Sequence, residues 1–143
     1  MAKHRTTMTH ILQRTVREIM ISKPACTTPD VSLLEAASVM KEAGISCLLV
    51  DLGDPAKGYG ILTAKDTISV LHAGVEDARE AMAGVKVGDV MTAPTADIPS
   101  YYLVSTCLDL MRMLGVRRAP VVDNGELVGI VSLTDIFEAA LAD

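Results

Sequence analysis

The feature that most constrains how this 143-residue chain can fold is an internal duplication. Gly60-Ile61-Leu62-Thr63-Ala64-Lys65-Asp66 returns 69 positions later as Gly129-Ile130-Val131-Ser132-Leu133-Thr134-Asp135. In each copy a glycine-led apolar run of strand character ends in a hydroxyl, and a carboxylate three residues on opens a helix-like run. The likeness extends outward: Val87-Gly88-Asp89-Val90-Met91 follows Val16-Arg17-Glu18-Ile19-Met20 at an offset of 71, as Met111 and Gly115 follow Met40 and Gly44. The change of offset falls in loops, where length differences are tolerated. A unit of roughly 55 to 60 residues occurring twice predicts a paired domain rather than a solenoid. Halves of that size should pack on each other, with the groove between them as a ligand site.

The first repeat reads as a short helix at 16–20, an extended stretch at 26–28 and a helix at 32–43. Ser32 and Glu35 form a capping box for that helix and Gly44 stops it. Strands at 45–50 and 59–62 follow, then a helix at 64–72. The second repeat supplies a helix at 103–114, strands at 116–122 and 127–131 about Asp123-Asn124-Gly125-Glu126, and a helix at 133–141. The expected organisation is a tail or short helix at 1–13 carrying Met8, Ile11 and Leu12, repeats at 14–74 and 85–143, and a partly helical linker at 75–84.

Half the residues are apolar, yet Trp is absent and Phe occurs once, so the core must be aliphatic. A net charge of −5 argues against bulk attraction to nucleic acid or to an anionic membrane, despite Lys3, His4, Arg5 and Arg14 near the N-terminus. No apolar run approaches the roughly 20 residues of a membrane span, and no signal peptide is evident, so a soluble cytoplasmic protein is expected. Cys26, Cys47 and Cys107 are widely spaced and read as buried reduced thiols rather than metal ligands.

Thr63-x-x-Asp66 and Ser132-x-x-Asp135 have the spacing of helix caps. They also sit at strand-to-helix junctions, where free N–H groups accept phosphate and a carboxylate can accept from both hydroxyls of a ribose. Arg117 and Arg118 at the mouth of a buried strand are either solvated edge charges or anion contacts. Tyr101 and Tyr102 are candidates for base stacking or for packing.

With these residues assembled, the chain resembles a tandem pair of CBS domains, a Bateman module. Val-x-x-(Ile/Val)-Met, Gly-(Ile/Val)-x-x-x-(Pro/Leu)-Val and Gly-hydrophobic-hydrophobic-(Thr/Ser)-x-x-Asp occur in both halves, covering about residues 14 to 143. The resemblance implies an α/β (α+β) fold of two βαββα repeats packed with pseudo-twofold symmetry and forming a homodimer. It implies a regulatory, signal-transducing module that binds AMP, ADP or ATP, less readily S-adenosylmethionine or a dinucleotide, in the groove between repeats. Asp66 and Asp135 would hold ribose hydroxyls, Thr63 and Ser132 ribose or phosphate, and Arg117 and Arg118 phosphates, with Val116, Pro120 and Ile45 enclosing adenine. Thr134 matches the family's small polar residue.

The first repeat departs from this pattern, with Ser46-Cys47 for Arg117-Arg118, Leu49 for Pro120 and Lys65 for Thr134. The second site is therefore the better formed, while the first is empty, weaker or dependent on Lys65 for phosphate. A dimerisation module with vacant grooves is the alternative. No nucleophile–base pair, metal cluster or Walker-type loop is visible, so neither an enzyme nor an obligatory cofactor is expected, and the effector protein is unspecified.

Overall fold

Each repeat hands its opening segment to the other. In this computed structural model, the described residues up to Pro24 join those from Ala96 onward in one compact unit, and Ala25–Thr95 forms the second. The structure describes residues 10–142, so Lys3, His4, Arg5, Met8 and Asp143 lie outside the described residues. The sequence repeats and the compact units thus do not coincide. Duplicated strands carry the same side-chain pattern, so either hairpin could accept a given opening strand and the pattern alone did not distinguish them.

The first unit starts with a 3-10 turn, Ile11–Gln13, and α1, Val16–Ile19. Glu18 Oε2 accepts the Thr15 N–H at 2.7 Å and closes the start of α1. β1, Ile21–Ser22, then pairs antiparallel with a strand from the far end of the chain, Ile21 opposite Ile130 and Ser22 opposite Gly129.

The second unit opens with β2, Cys26–Thr27, and α2, Leu33–Ala43. Ser32 Oγ accepts the Glu35 N–H at 3.1 Å to cap α2, and Gly44 ends it in a left-handed conformation (φ 66°) that few other residues adopt cheaply. β3, Cys47–Asp51, lies parallel to β2 and antiparallel to β4, Tyr59–Thr63, giving the order β2-β3-β4. α3 spans Ala64–Ile68, shorter than the helix expected to residue 72. Thr67 Oγ1 and Ser69 Oγ donate back to the Ala64 and Asp66 carbonyls at 2.7 and 2.6 Å, competition of the kind that ends a helix. In the linker, α4, Ala78–Ala83, is capped by Asp77. α5, Val87–Val90, is followed by Thr92, which bridges to Ile61 of β4. Leu33, Ala36 and Met40 of α2 pack on Leu48, Val50 and Leu62, with Val87 completing the core.

The chain returns to the first unit at Ile98, which bridges in parallel to Val121. α6, Val104–Leu114, ends at Gly115 (φ 68°) as α2 does at Gly44. β5, Arg118–Asp123, and β6, Glu126–Ser132, form a hairpin around Asn124 (φ 52°) and Gly125 (φ 80°), as the Asn-Gly pair predicts. α7, Leu133–Ala142, closes the chain. The sheet order is β1-β6-β5, and its core is Val16, Ile98, Cys107, Met111, Ala119, Val121 and Val131. Both units repeat one mixed α/β element order, built on aliphatic cores. Cys26, however, is exposed and Cys47 half-buried, so the expectation of buried thiols holds for Cys107 alone. Cys26 lies on the two-residue outer strand of its sheet, where β3 alone covers it.

The opening segments dictate the two motif glycines. A Cβ on Gly129 would stand 2.6 Å from Met20 Sδ and 2.8 Å from the Ile21 carbonyl oxygen. At Gly60 it would stand 3.0 Å from Ala93 Cβ and 3.1 Å from Met91 Sδ. Gly129→Ala is expected to lower unfolding stability by about 1–3 kcal/mol, and by more than Gly60→Ala, in urea titrations. Equal losses at the two positions would contradict the tighter crossing at Gly129.

Candidate functional site

β4 and β6 deliver the same constellation within their own units. In the first unit Asp135 Oδ2 accepts the Ser132 N–H at 2.9 Å, and Ser132 Oγ accepts the Asp135 N–H at 3.1 Å. In the second, Asp66 Oδ2 accepts the Thr63 N–H at 2.8 Å and Thr63 Oγ1 accepts the Asp66 N–H at 3.2 Å. These reciprocal bonds are capping boxes, as the spacing predicts.

The residue just before the neighbouring strand, β5 or β3, closes another first-turn donor. The Leu133 N–H donates to the Arg117 carbonyl at 2.9 Å, and the Ala64 N–H to the Ser46 carbonyl at 2.8 Å. The first four N–H groups of a helix lack intrahelical partners, so the Thr134 and Lys65 N–H groups remain without a capping partner among the described residues. The cap engages only Oδ2 of each carboxylate, leaving the other oxygen to accept.

Cross-strand register places the remaining residues. Arg118 pairs with Ser132 and Pro120 with Ile130, so these side chains share the sheet face opposite Ala119, Val121 and Val131, which face the core. Directly opposed side chains have Cβ atoms about 4.5–5.5 Å apart, so the Arg118 stem rises beside the Ser132 hydroxyl. Arg118 is half-buried and Arg117, just before the strand, is exposed. In the second unit Cys47 pairs with Thr63 and takes the position of Arg118. Val116 and Ile45 lie outside the strands because their N–H groups donate to the Met111 and Met40 carbonyls, both at 3.0 Å, completing the helix ends. Pro120 is buried, while Ile45, Lys65 and Thr134 are exposed.

Ser132, Thr134, Asp135, Arg117, Arg118, Val116 and Pro120 thus belong to one unit, and Thr63, Lys65, Asp66 and Ile45 to the other. Tyr102 packs against the first unit's core, edge to face with Tyr101 at 5.5 Å, whereas Tyr101 is exposed. An acidic cleft of about 510 Å³ lies at the linker, lined by Glu76, Asp77 and Glu80, and holds none of the candidate residues. Among the described residues no group of His, Cys, Asp and Glu is placed to hold a metal ion, and no helix is long and apolar enough to cross a membrane. Burial pushes the Cys107 thiol up to about 11, which removes it from thiolate chemistry at neutral pH.

One supporting contact was not anticipated. At the far end of β5 from Arg118, Asp123 accepts the Ser100 N–H at 2.8 Å and the buried Ser100 hydroxyl at 2.5 Å. Asp123 read only as a turn residue, because its partner lies in a loop 23 residues away with no pattern of its own. Those bonds from Ser100, and more weakly the Arg17 charge, hold the Asp123 carboxyl below its ordinary range.

Comparison with known proteins places this arrangement. The family model described as CBS domain matches residues 16–73 and again 87–142. The chain belongs to the CBS domain family. Hypoxic response protein 1 of Mycobacterium tuberculosis is 34% identical over 123 residues, 85% of this chain and 82% of that protein. MK0525 of Methanopyrus kandleri is 30% identical over 112 residues, 78% of this chain, which spans 55% of that longer relative. Among solved structures, the CBS domain of a membrane protein from Sphaerobacter thermophilus superposes with a TM-score of 0.76 at 27% identity, covering 96% of this chain and 94% of that one. CBSX2 in complex with AMP superposes with a TM-score of 0.71 over 90% of this chain and 97% of its own; at 23% identity that likeness is one of fold.

Ser100→Ala should lower stability at pH 7 by about 0.5–1.5 kcal/mol, the usual net worth of one hydrogen bond. The Asp123 carboxyl is depressed in the folded state, so its stabilisation is present above the ordinary carboxyl pKa and is lost as pH falls below about 4. Denaturant midpoints measured from pH 7 to pH 2 should therefore converge for wild type and variant. A constant gap across that range would contradict the assignment.

Proposed function

We propose that this CBS pair is a noncatalytic regulatory protein that binds an adenine nucleotide, AMP, ADP or ATP, at its capping-box junctions. Binding changes its assembly or the activity of a partner protein. The observation carrying this reading is the convergence, in the first unit, of a carboxylate oxygen outside the cap, the Thr134 N–H, and Arg118 beside the Ser132 hydroxyl. A carboxylate suits ribose hydroxyls, and a guanidinium with a helix N–H suits phosphate. The AMP complex of a neighbour of the same fold is consistent with this chemistry. Regulation then requires that the nucleotide bind two states of the protein with different affinities.

A second reading, a homodimerisation module whose sites stay vacant, is favoured by the apolar surface of the first unit. Met113 and Leu114 on α6, and Phe137 and Leu141 on α7, are each at least half exposed. Large apolar side chains left exposed on helices are available for association with a second copy. Light scattering with and without nucleotide separates the readings: a dimer indifferent to every adenine nucleotide favours this one.

Titration calorimetry with AMP and ATP tests the nucleotide reading directly. Binding is expected in the wild type and is expected to weaken by about tenfold or more in Asp135→Ala, through loss of charge-assisted hydrogen bonds. No heat from either nucleotide, or equal affinity in the variant, would sink it.

A further inference from the structure

The turn that opens the first unit is held differently from its counterpart in the second. Ile11 is only 7% exposed and packs against Val104 of α6 and Ile136 of α7, with Leu108 and Ala139 beside them. Met82 of α4, which follows Ile11 at the repeat offset of 71, packs in the same way on the core beneath α2. Each unit therefore carries a strap across its helices, and the two straps are capped by different chemistry. Asp77 Oδ1 accepts the Arg79 and Glu80 N–H groups at 3.0 and 3.2 Å at the start of α4. At the start of the Ile11–Gln13 turn the acceptor is an imidazole, and His10 Nδ1 accepts the Leu12 N–H at 3.2 Å. Beyond the turn the chain is pinned by the Val104 N–H on the Arg14 carbonyl and the Val16 N–H on the Tyr102 carbonyl, both at 2.8 Å. Among the described residues, the other end is held by the His10 cap, the Gln13 N–H on the His10 carbonyl and the buried Ile11 side chain.

We propose that the Ile11–Gln13 turn is a pH-sensitive latch on the groove between α6 and α7, seated while the His10 imidazole is neutral and loosened when it is protonated. The latch stands apart from the nucleotide reading. A neutral imidazole offers one nitrogen as acceptor, and that nitrogen holds Leu12; the protonated ring donates from both nitrogens and offers none. The Leu12 N–H then faces a second donor, and the turn loses the bond that orients Ile11. Histidine ordinarily changes charge between about pH 5 and 8, whereas a carboxylate cap accepts throughout that range, so α4 keeps its cap. The charged side chains on the elements packed against the turn are Asp109 and Arg112 of α6 and Asp135 and Glu138 of α7, with Arg14 and Glu18 where it leads into α1. Arg14 lies 3.7 Å from Glu18, and among the described residues none of these groups forms an ion pair with the His10 ring. Loosening the turn uncovers Val104 and Ile136 on helices that already expose Phe137 and Leu141, so apolar surface grows as pH falls.

Methyl and amide NMR spectra of wild type and His10→Asn, recorded from about pH 8 to about pH 5, test the latch, because an asparagine cap accepts at every pH in that range. In wild type the Leu12 amide and the Ile11 and Ile136 methyls should titrate together with the His10 ring. Exchange of the Leu12 amide, corrected for its intrinsic pH dependence, should quicken about two- to tenfold on protonation, the effect expected of losing one hydrogen bond. In His10→Asn the same signals should hold still. His72 Nδ1 accepts the Gly74 N–H at 3.1 Å in the second unit and is unchanged in the variant, so effects confined to wild type belong to His10. A His10 ring that titrates while Ile11 and Ile136 stay unmoved, or equal movement in His10→Asn, would overturn the latch and leave the nucleotide reading untouched.

Discussion

The passage of Met20 and Ile21 across a strand residue with no side chain is the contact on which the first unit depends. Because Gly129 carries no Cβ, β1 comes close enough to pair at Ile130 and Gly129, and β6 becomes the central strand of its sheet. A central strand is held on both edges, so its end at Ser132 is fixed with respect to Arg118 on one side and to α7 beyond it. In the second unit the segment after Met91 meets Gly60 in the same way, and Thr92 bridges to Ile61. Position of the candidate site thus follows from a backbone contact made far from it in sequence.

On the proposed reading, ligand recognition would draw on the same few groups that cap the helices. Each capping box satisfies the donors that would otherwise be left bare, but a carboxylate accepts several hydrogen bonds and a four-donor helix start is not exhausted by its own cap. The remaining donor and acceptor at each junction are the groups on which the proposed nucleotide reading rests. The cross-strand neighbours Arg118 and Cys47 then differ by a full charge at equivalent places, so two similar backbones present different electrostatics.

Much of this was legible in the residues. Gly44 and Gly115 marked helix ends, Asn124-Gly125 marked a tight hairpin, and the hydroxyl-x-x-carboxylate spacing marked both caps, because each of these is a local matter of backbone conformation or hydrogen-bond reach. What escaped were long-range choices. The exchange of opening segments between repeats is invisible in a pattern that both repeats share. The Ser100–Asp123 contact joins two loops, and the exposure of Cys26 depends on which strands flank its short edge. The early end of α3 was local but depended on Thr67 and Ser69 turning their hydroxyls back onto the helix.

The claim that the junction at Ser132 to Asp135 is a ligand site is tested most directly by amide chemical shifts. A 1H–15N spectrum of the chain titrated with ATP should show its largest changes at Arg117, Arg118, Ser132, Thr134 and Asp135, with smaller ones at Thr63 to Asp66. Saturating ATP that leaves those amides unmoved, or that moves only the acidic linker around Glu76 to Glu80, would contradict it.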